Sequence, residues 1–129
     1  MRRKQDIIDH LDRFTRAYIE AILFTSTDES TPAGGEPLDK KYSTKDLSHV
    51  SLTKIVADCE KFQQENEADI LSSPQRAGHD FWLTRNRQGA GFWDGGWPKE
   101  VGERLTKNAH AYGEVYVSVY RGVILVTVG

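Results

Sequence analysis

The chain has 129 residues and a formal net charge of −2, from 17 Lys and Arg against 19 Asp and Glu. This length fits one domain over 1–129, and the near-neutral balance argues against a basic protein that coats nucleic acid or a strongly acidic mimic of a DNA duplex. The single cysteine, Cys59, has no partner for a disulfide within the chain, and no apolar run reaches the roughly 18 residues of a membrane span. Aspartates also interrupt the apolar positions that a signal peptide would need. We therefore expect a cytoplasmic protein without a membrane partner.

The first predicted element is one amphipathic helix within residues 1–24. Between Gln5 and Phe24, apolar residues recur at the spacing of a single helix face. A flexible loop over 25–42 should follow, because this stretch is dense in Ser, Thr, Asp, Gly and Pro and exceeds the usual connection length. We expect Asp28 to Gly35 to be its most mobile part.

Residues 43–73 are predicted to be helical. Ser43 and Asp46 have the spacing of a capping box, which favours a short helical turn. A longer helix should carry one apolar face and end near Gln64 to Asn66. That face is predicted to contain Leu52, Ile55, Val56, Cys59 and Phe62.

The C-terminal part, 79–129, is predicted to have ββαββ order. His79 to Asp94 holds two short aromatic runs around a Gly-rich centre, which is typical of a β-hairpin. A helix should run from Pro98 to Tyr112, since Pro suits a helix start, and a second hairpin should turn at Arg121-Gly122. The continuous apolar run 123–126 favours a central strand covered on both faces. The predicted fold is therefore α+β, with the N-terminal helices packed on a four-stranded antiparallel sheet.

Several segments of the chain resemble one family. They include AGHDFWLTRNRQGAGFWD and GERLTKNAHAYGE, with FTRAYIEAILFTSTDES, EPLDKKYSTKDL and VADCEKFQQENEADI before them. These segments, within about residues 14–120, resemble a family of small proteins encoded by bacteriophages, prophages and plasmids. Gln88 stands where many members have His. The resemblance implies an accessory gene of a mobile element, and it names neither an activity nor a target.

The densest group of functional side chains lies on the predicted first hairpin. A His beside carboxylates suits a general base, and two Arg at a Gly-rich turn suit an anion. The aromatic residues there suit either a partner surface or the core, with Phe81 and Phe92 favoured for the core. In the alternative structural interpretation, the two Asp bracket strands and one Arg pairs with an Asp. The predicted binding residues are His79, Asp80, Trp82, Arg85, Asn86, Arg87, Gln88, Trp93, Asp94 and Trp97.

Three function classes follow from these residues and from what the resemblance implies. The favoured one is a non-enzymatic accessory protein that binds a host or phage protein, as a regulator or an inhibitor of host defence. The first alternative is a small enzyme acting on a nucleotide or another phosphate-containing substrate, with His79 or Asp94 as base and Arg85 or Arg87 holding the anion. The second is a single-strand nucleic-acid binder that stacks bases on aromatic rings, which the net charge disfavours. No cofactor, metal or catalytic residue is predicted, because the four histidines are scattered and no nucleotide-binding motif occurs.

Overall fold

A computed structural model describes residues 2–30 and 34–128 of the chain. Its α-helices are α1 (Lys4–Asp9), α2 (Arg13–Thr25), α3 (His49–Glu65), α4 (Glu67–Ile70), α5 (Pro74–Arg85) and α6 (Lys99–His110). Its strands are β1 (Thr27–Asp28), β2 (Glu36–Pro37), β3 (Val115–Tyr120) and β4 (Val123–Val128). The strands form two separate two-stranded antiparallel sheets, β1–β2 and β3–β4. The fold class is α+β.

The predicted four-stranded sheet in ββαββ order is wrong, because the chain forms helix α5 where the first hairpin was expected. Pro74 occupies the first turn of α5, where its missing N–H leaves no helical bond unmade. Ala77, Phe81 and Thr84 follow at helical spacing and are all buried. The aromatic residues that looked like strands therefore lie on a helix, and the Gly-rich centre belongs to the loop after it.

The second predicted hairpin is confirmed, with its turn at Arg121 and Gly122. Both turn residues have positive φ, +50° and +77°, as a two-residue turn of this hairpin type requires. The prediction that 123–126 forms a central strand covered on both faces is wrong. β3 is the only strand that pairs with β4 in the described chain, and Val123 is 40% exposed whereas Ile124 is buried.

The single N-terminal helix is also divided in the structure. α1 ends at Asp9 and α2 begins at Arg13, with Asp12 between them as the cap of α2. The Thr15 N–H donates to Asp12 Oδ1 over 2.8 Å, which gives α2 a start of its own. Apolar spacing continues across the break, so periodicity alone did not reveal it.

The middle of the chain agrees better with expectation. The capping box of Ser43 and Asp46 is present, and α3 ends at Glu65. The predicted loop 25–42 contains the short β1–β2 ribbon and a 3₁₀ helix over Leu38–Lys40. Residues 31–33 lie outside the described residues, so the mobility of Asp28 to Gly35 stays a prediction.

The core forms where α2 and α5 cross closely and α3 packs beside them. A Cβ atom at Gly78 of α5 would overlap the Phe14 carbonyl oxygen of α2, so this crossing needs glycine. Phe62 of α3 stacks on Phe81 with ring centroids 4.1 Å apart, and its centroid lies 5.9 Å from that of Phe92. The predicted core positions of Phe81 and Phe92 are confirmed.

The β3–β4 hairpin is held against the start of α3. The Ser48 N–H donates to the Ile124 carbonyl oxygen over 2.9 Å, and the Val126 N–H donates to Ser51 Oγ over 2.9 Å. Leu47 adds a parallel bridge to Ile124. These contacts cover the outer edge of β4 and leave β3 as the outer strand of the hairpin.

Candidate functional site

The predicted binding residues do not form one exposed cluster. They lie on α5 and on the loop that leads to α6, and they divide into interior and surface groups. Asp80, Trp82 and Arg85 are buried, and Asn86 and Trp97 are half-buried. The exposed group contains His79, Arg87, Gln88, Trp93 and Asp94.

Arg85 lies in the last turn of α5 with a side chain that is only 2% exposed. Its Nη1 donates to Asp58 Oδ2 over 2.9 Å and to the Tyr18 hydroxyl oxygen over 3.2 Å. Its Nε donates to the Gly113 carbonyl oxygen over 2.7 Å, and Nη2 to that of Tyr112 over 3.3 Å. The guanidinium therefore connects α5 with α2, α3 and the end of α6.

One carboxylate, Asp58, balances the charge of the buried Arg85. Burial raises the pKa of the Tyr18 phenol well above its usual value, although the Arg85 charge opposes this rise. Tyr18 is therefore neutral, and Asp58 is the anion that faces Arg85. Lys54 completes the pairing with its Nζ atom 3.1 Å from Asp58 Oδ1.

An open cleft of about 690 Å³ lies beside this ion pair, lined by α3, α6 and the end of β4. The Tyr112 hydroxyl donates to Glu65 Oε1 over 2.7 Å across it, and Lys61 Nζ lies 5.7 Å from the Tyr112 ring centroid. Burial, followed by the bond to Glu65, raises the pKa of Tyr112, so this phenol is a hydrogen-bond donor rather than a base. Binding of a small anion by Arg85 or Arg87 stays a prediction, and the Arg85 guanidinium is already paired with Asp58.

Trp82 and Asn86 make bonds that position their own segments. Trp82 Nε1 donates to Thr25 Oγ1 over 2.7 Å at the end of α2. Asn86 Nδ2 donates to the Trp82 carbonyl oxygen over 3.0 Å, and its Oδ1 accepts from the Val115 N–H over 2.9 Å. Asn86 thereby joins the end of α5 to the start of β3.

The loop after α5 folds back on the helix through similar bonds. The Phe92 N–H donates to Thr84 Oγ1 over 3.0 Å, and Trp97 Nε1 donates to Asp80 Oδ2 over 2.7 Å. A Cβ atom at Gly91 would overlap Thr84 Oγ1, so the close return needs glycine. Much of the AGHDFWLTRN and GAGFWD segments is thus explained by the packing of this helix and loop.

Of the exposed predicted residues, His79 lies on α5 and the other four lie on the outside of that loop. Arg87 has a positive φ of +53°, as suits the residue just beyond a helix end. Within the described ranges, Arg87, Gln88 and Asp94 make no side-chain hydrogen bond, and Trp93 is 55% exposed. Binding by these residues stays a prediction.

Two features of the structure were not predicted from the sequence: Asp58 and the outer face of the β3–β4 hairpin. Asp58 lies among Ile55, Cys59 and Phe62 on the apolar face of α3, and a carboxylate there indicates a buried cation. Only the strands of the hairpin were predicted. The alternation of side chains along a strand already places its Tyr residues and its Val residues on opposite faces. We define the outer face as the side of the hairpin that carries Tyr116, Ser118, Tyr120, Val123, Leu125 and Thr127.

The outer face combines aromatic exposure with one cation. Tyr116 is 64% exposed and Tyr120 is 61% exposed. Arg121 places its guanidinium carbon 5.3 Å from the Tyr120 ring centroid. The opposite side of the hairpin carries the core-facing Val117 and Ile124. The outer face is therefore an aromatic surface that the core does not use.

Comparisons of the chain with protein-family models, curated proteins and solved structures found no match. Within residues 2–30 and 34–128, no group of three or more His, Cys, Asp or Glu side chains is placed to hold a metal ion. Each helix in the described ranges is too short or too polar to span a lipid bilayer.

Proposed function

We propose that this chain is a non-enzymatic binding protein of a mobile genetic element, which acts in the cytoplasm of a bacterial host by binding a host protein. Its role is proposed to be regulation of that host protein or inhibition of a host defence, which suits the accessory gene of a mobile element that the family resemblance implies. The partner is proposed to dock on the outer face. The observation that carries this proposal is the pair of exposed rings, Tyr116 and Tyr120, on one side of an ordered hairpin.

Tyrosine and arginine are, with tryptophan, the residue types that contribute most to protein interfaces, because each combines a large contact area with a polar end. The outer face offers two such rings and the Arg121 guanidinium beside one of them. A complementary partner surface has an apolar centre for the rings and a carboxylate for Arg121. The buried positions of Arg85 and Trp82 favour this surface over the anion site and the base-stacking site of the alternative functions.

The outer face can be tested with a double substitution, Tyr116→Ala with Tyr120→Ala. Both side chains are exposed, so their loss should leave the fold intact. The purified wild-type chain is immobilised, host proteins that it retains are identified by mass spectrometry, and the retained protein is then purified and titrated. The double variant should raise the Kd at least about tenfold, as expected for the loss of two interface anchors.

The matched control is Phe24→Ala, which removes another strongly exposed aromatic ring from the end of α2. This control should bind the partner as the wild type does. An equal Kd for the double variant and the wild type would show that the partner docks elsewhere.

A further inference from the structure

The β3–β4 hairpin has a fixed pattern of inward and outward backbone groups. Its two-residue turn makes Tyr120 and Val123 the closing pair, and the hydrogen bonds between strands then alternate along the hairpin. Val115, Val117 and Val119 therefore direct their N–H and C=O groups away from β4. The bond from the Val115 N–H to Asn86, which lies outside the hairpin, agrees with this pattern.

The two outer edges of the hairpin differ in how these groups are satisfied. On β4, the Ile124 carbonyl oxygen accepts from the Ser48 N–H, and the Val126 N–H donates to Ser51. On β3, the N–H and C=O groups of Val117 and Val119 have no partner within 2–30 and 34–128, and no third strand pairs with them. β3 thus presents two consecutive outward residues with free hydrogen-bonding groups.

The sequence of β3 also lacks the usual protection of a strand edge. Proteins block such edges with charged side chains, proline or bulges. Residues 115–120, VYVSVY, contain neither a charge nor a proline, and the six pairs with β4 run without a bulge. Charges stand only at the two ends of the strand, as Glu114 and Arg121.

We infer that a second copy of this chain pairs with β3 in antiparallel orientation, which joins the two hairpins in one sheet across a twofold axis. Antiparallel pairing of identical strands is self-complementary, because each copy offers the same groups to the other. One register satisfies all the free groups of Val117 and Val119: Val117 lies opposite Val119 of the second copy, and Val119 opposite its Val117. A shift by two residues toward the N-terminus would bring Val115 into the ladder. The Val115 N–H already donates to Asn86, so it is not free for this pairing.

This register also matches the side chains. Tyr116 of each copy lies directly opposite Tyr120 of the other on the outer face, and aromatic cross-strand pairs stabilise sheets. Glu114 lies opposite Gly122 of the second copy, next to that copy's Arg121, so opposite charges meet at both ends. Ser118 faces Ser118 of the second copy at the twofold axis.

The dimer goes beyond the proposed function and needs no partner protein for its test. It places the outer faces of two copies side by side, so a partner would meet a surface of twice the extent. The interface is small, since one strand from each copy forms it. We therefore expect a weak dimer that forms as the concentration rises from about 10 μM to about 1 mM.

Ser118 allows the register itself to be tested by light scattering or sedimentation of the purified chain. Ser118 is exposed on the outer face, so Ser118→Glu and Ser118→Lys should leave the monomer folded. Each substitution places like charges opposite each other at the twofold axis and should raise the dimer Kd at least about tenfold. An equimolar mixture of the two variants should regain dimers, because Glu then faces Lys.

Thr127→Glu is the matched control, since it adds the same charge to the same outer face but on β4, away from the β3 edge. It should dimerise as the wild type does. The inference is overturned if the wild type stays monomeric up to about 1 mM. It is equally overturned if both Ser118 variants dimerise like the wild type, or if their mixture stays monomeric. Partner binding lost on Tyr116 and Tyr120 substitution would still stand in those cases, so the two proposals fail separately.

Discussion

At the scale of single residues, Arg85 and Arg87 show how different two neighbouring arginines are. Arg85 is buried and donates to Asp58, Tyr18 and two backbone carbonyls. Arg87 is exposed just beyond the helix end. Charge type alone could not separate them, because only the position on α5 determines which one points into the core.

We predict that Arg85→Ala lowers the free energy of unfolding by about 3–5 kcal/mol, because it leaves Asp58 buried without its main cation. Arg87→Ala is the control and should change it by less than about 0.5 kcal/mol. Denaturant unfolding of both variants measures the difference. Equal, small losses for the two would mean that Arg85 is solvated in solution.

At the scale of elements, the hairpins illustrate what could be predicted and what could not. The sequence around Arg121-Gly122 predicts a hairpin from two independent signals. The β-branched residues favour strands, and the two turn residues adopt the positive φ of a hairpin turn. In the aromatic segment after His79, residues on most sides of helix α5 are buried. The segment therefore shows no apolar stripe of helical period, and its short apolar runs resembled strands. The start at Pro74 was the local sign of a helix.

The candidate surfaces follow the same division. Alternation along β3 was enough to separate its Tyr from its Val side chains. The Asp58–Arg85 pair joins residues 27 positions apart, and nothing local in the chain fixes such a contact. Whether β3 has an unpaired edge depends on which strands pair with each other. Neither the residue pattern nor β-propensity determines that pairing.

The crossing of α2 and α5 gives a prediction at this scale. Gly78→Ala should destabilise the fold by about 1–3 kcal/mol, although Ala favours helices, because its methyl group would overlap the Phe14 carbonyl oxygen. His79→Ala, on the exposed side of the same helix, is the control and should change stability by less than about 0.5 kcal/mol. Thermal and denaturant melts distinguish them, and a Gly78→Ala chain as stable as the wild type would show that the helices separate easily.

At the scale of the whole molecule, a few polar contacts connect segments that are far apart in the chain. Arg104 of α6 donates to both carboxylate oxygens of Asp69 in α4, each over 2.7 Å. Gln63 of α3 donates to Asp12, the cap of α2, over 3.1 Å. Because these contacts lie at the rim of the core, protonation of Asp69 or Asp12 affects the stability of the fold without disturbing its apolar packing.

The Asp69–Arg104 pair makes that stability depend on pH. The hydrogen bond from Arg104, and then its charge, hold the pKa of Asp69 below the ordinary aspartate value. A carboxyl group with a lowered pKa in the folded state stabilises the fold above its unfolded pKa, and this contribution is lost as the pH falls through the lowered value. Asp69→Asn should therefore lower the Tm by about 1–4 °C at pH 7, and the difference should shrink between about pH 4 and pH 2.

Asp94→Asn is the control, since Asp94 is exposed and its side chain has no hydrogen bond in the described part of the chain. This substitution should leave the Tm unchanged at pH 7 and also at about pH 2. Thermal melts followed by circular dichroism over this pH range make the comparison. Salt should weaken the Asp69 effect at pH 7, because Arg104 is half exposed and its charge is screened. At about pH 2 Asp69 is protonated, so the wild type and the Asp69→Asn variant are both neutral at this position. A Tm difference that stays constant from pH 7 to about pH 2 would therefore assign the effect of the substitution to packing.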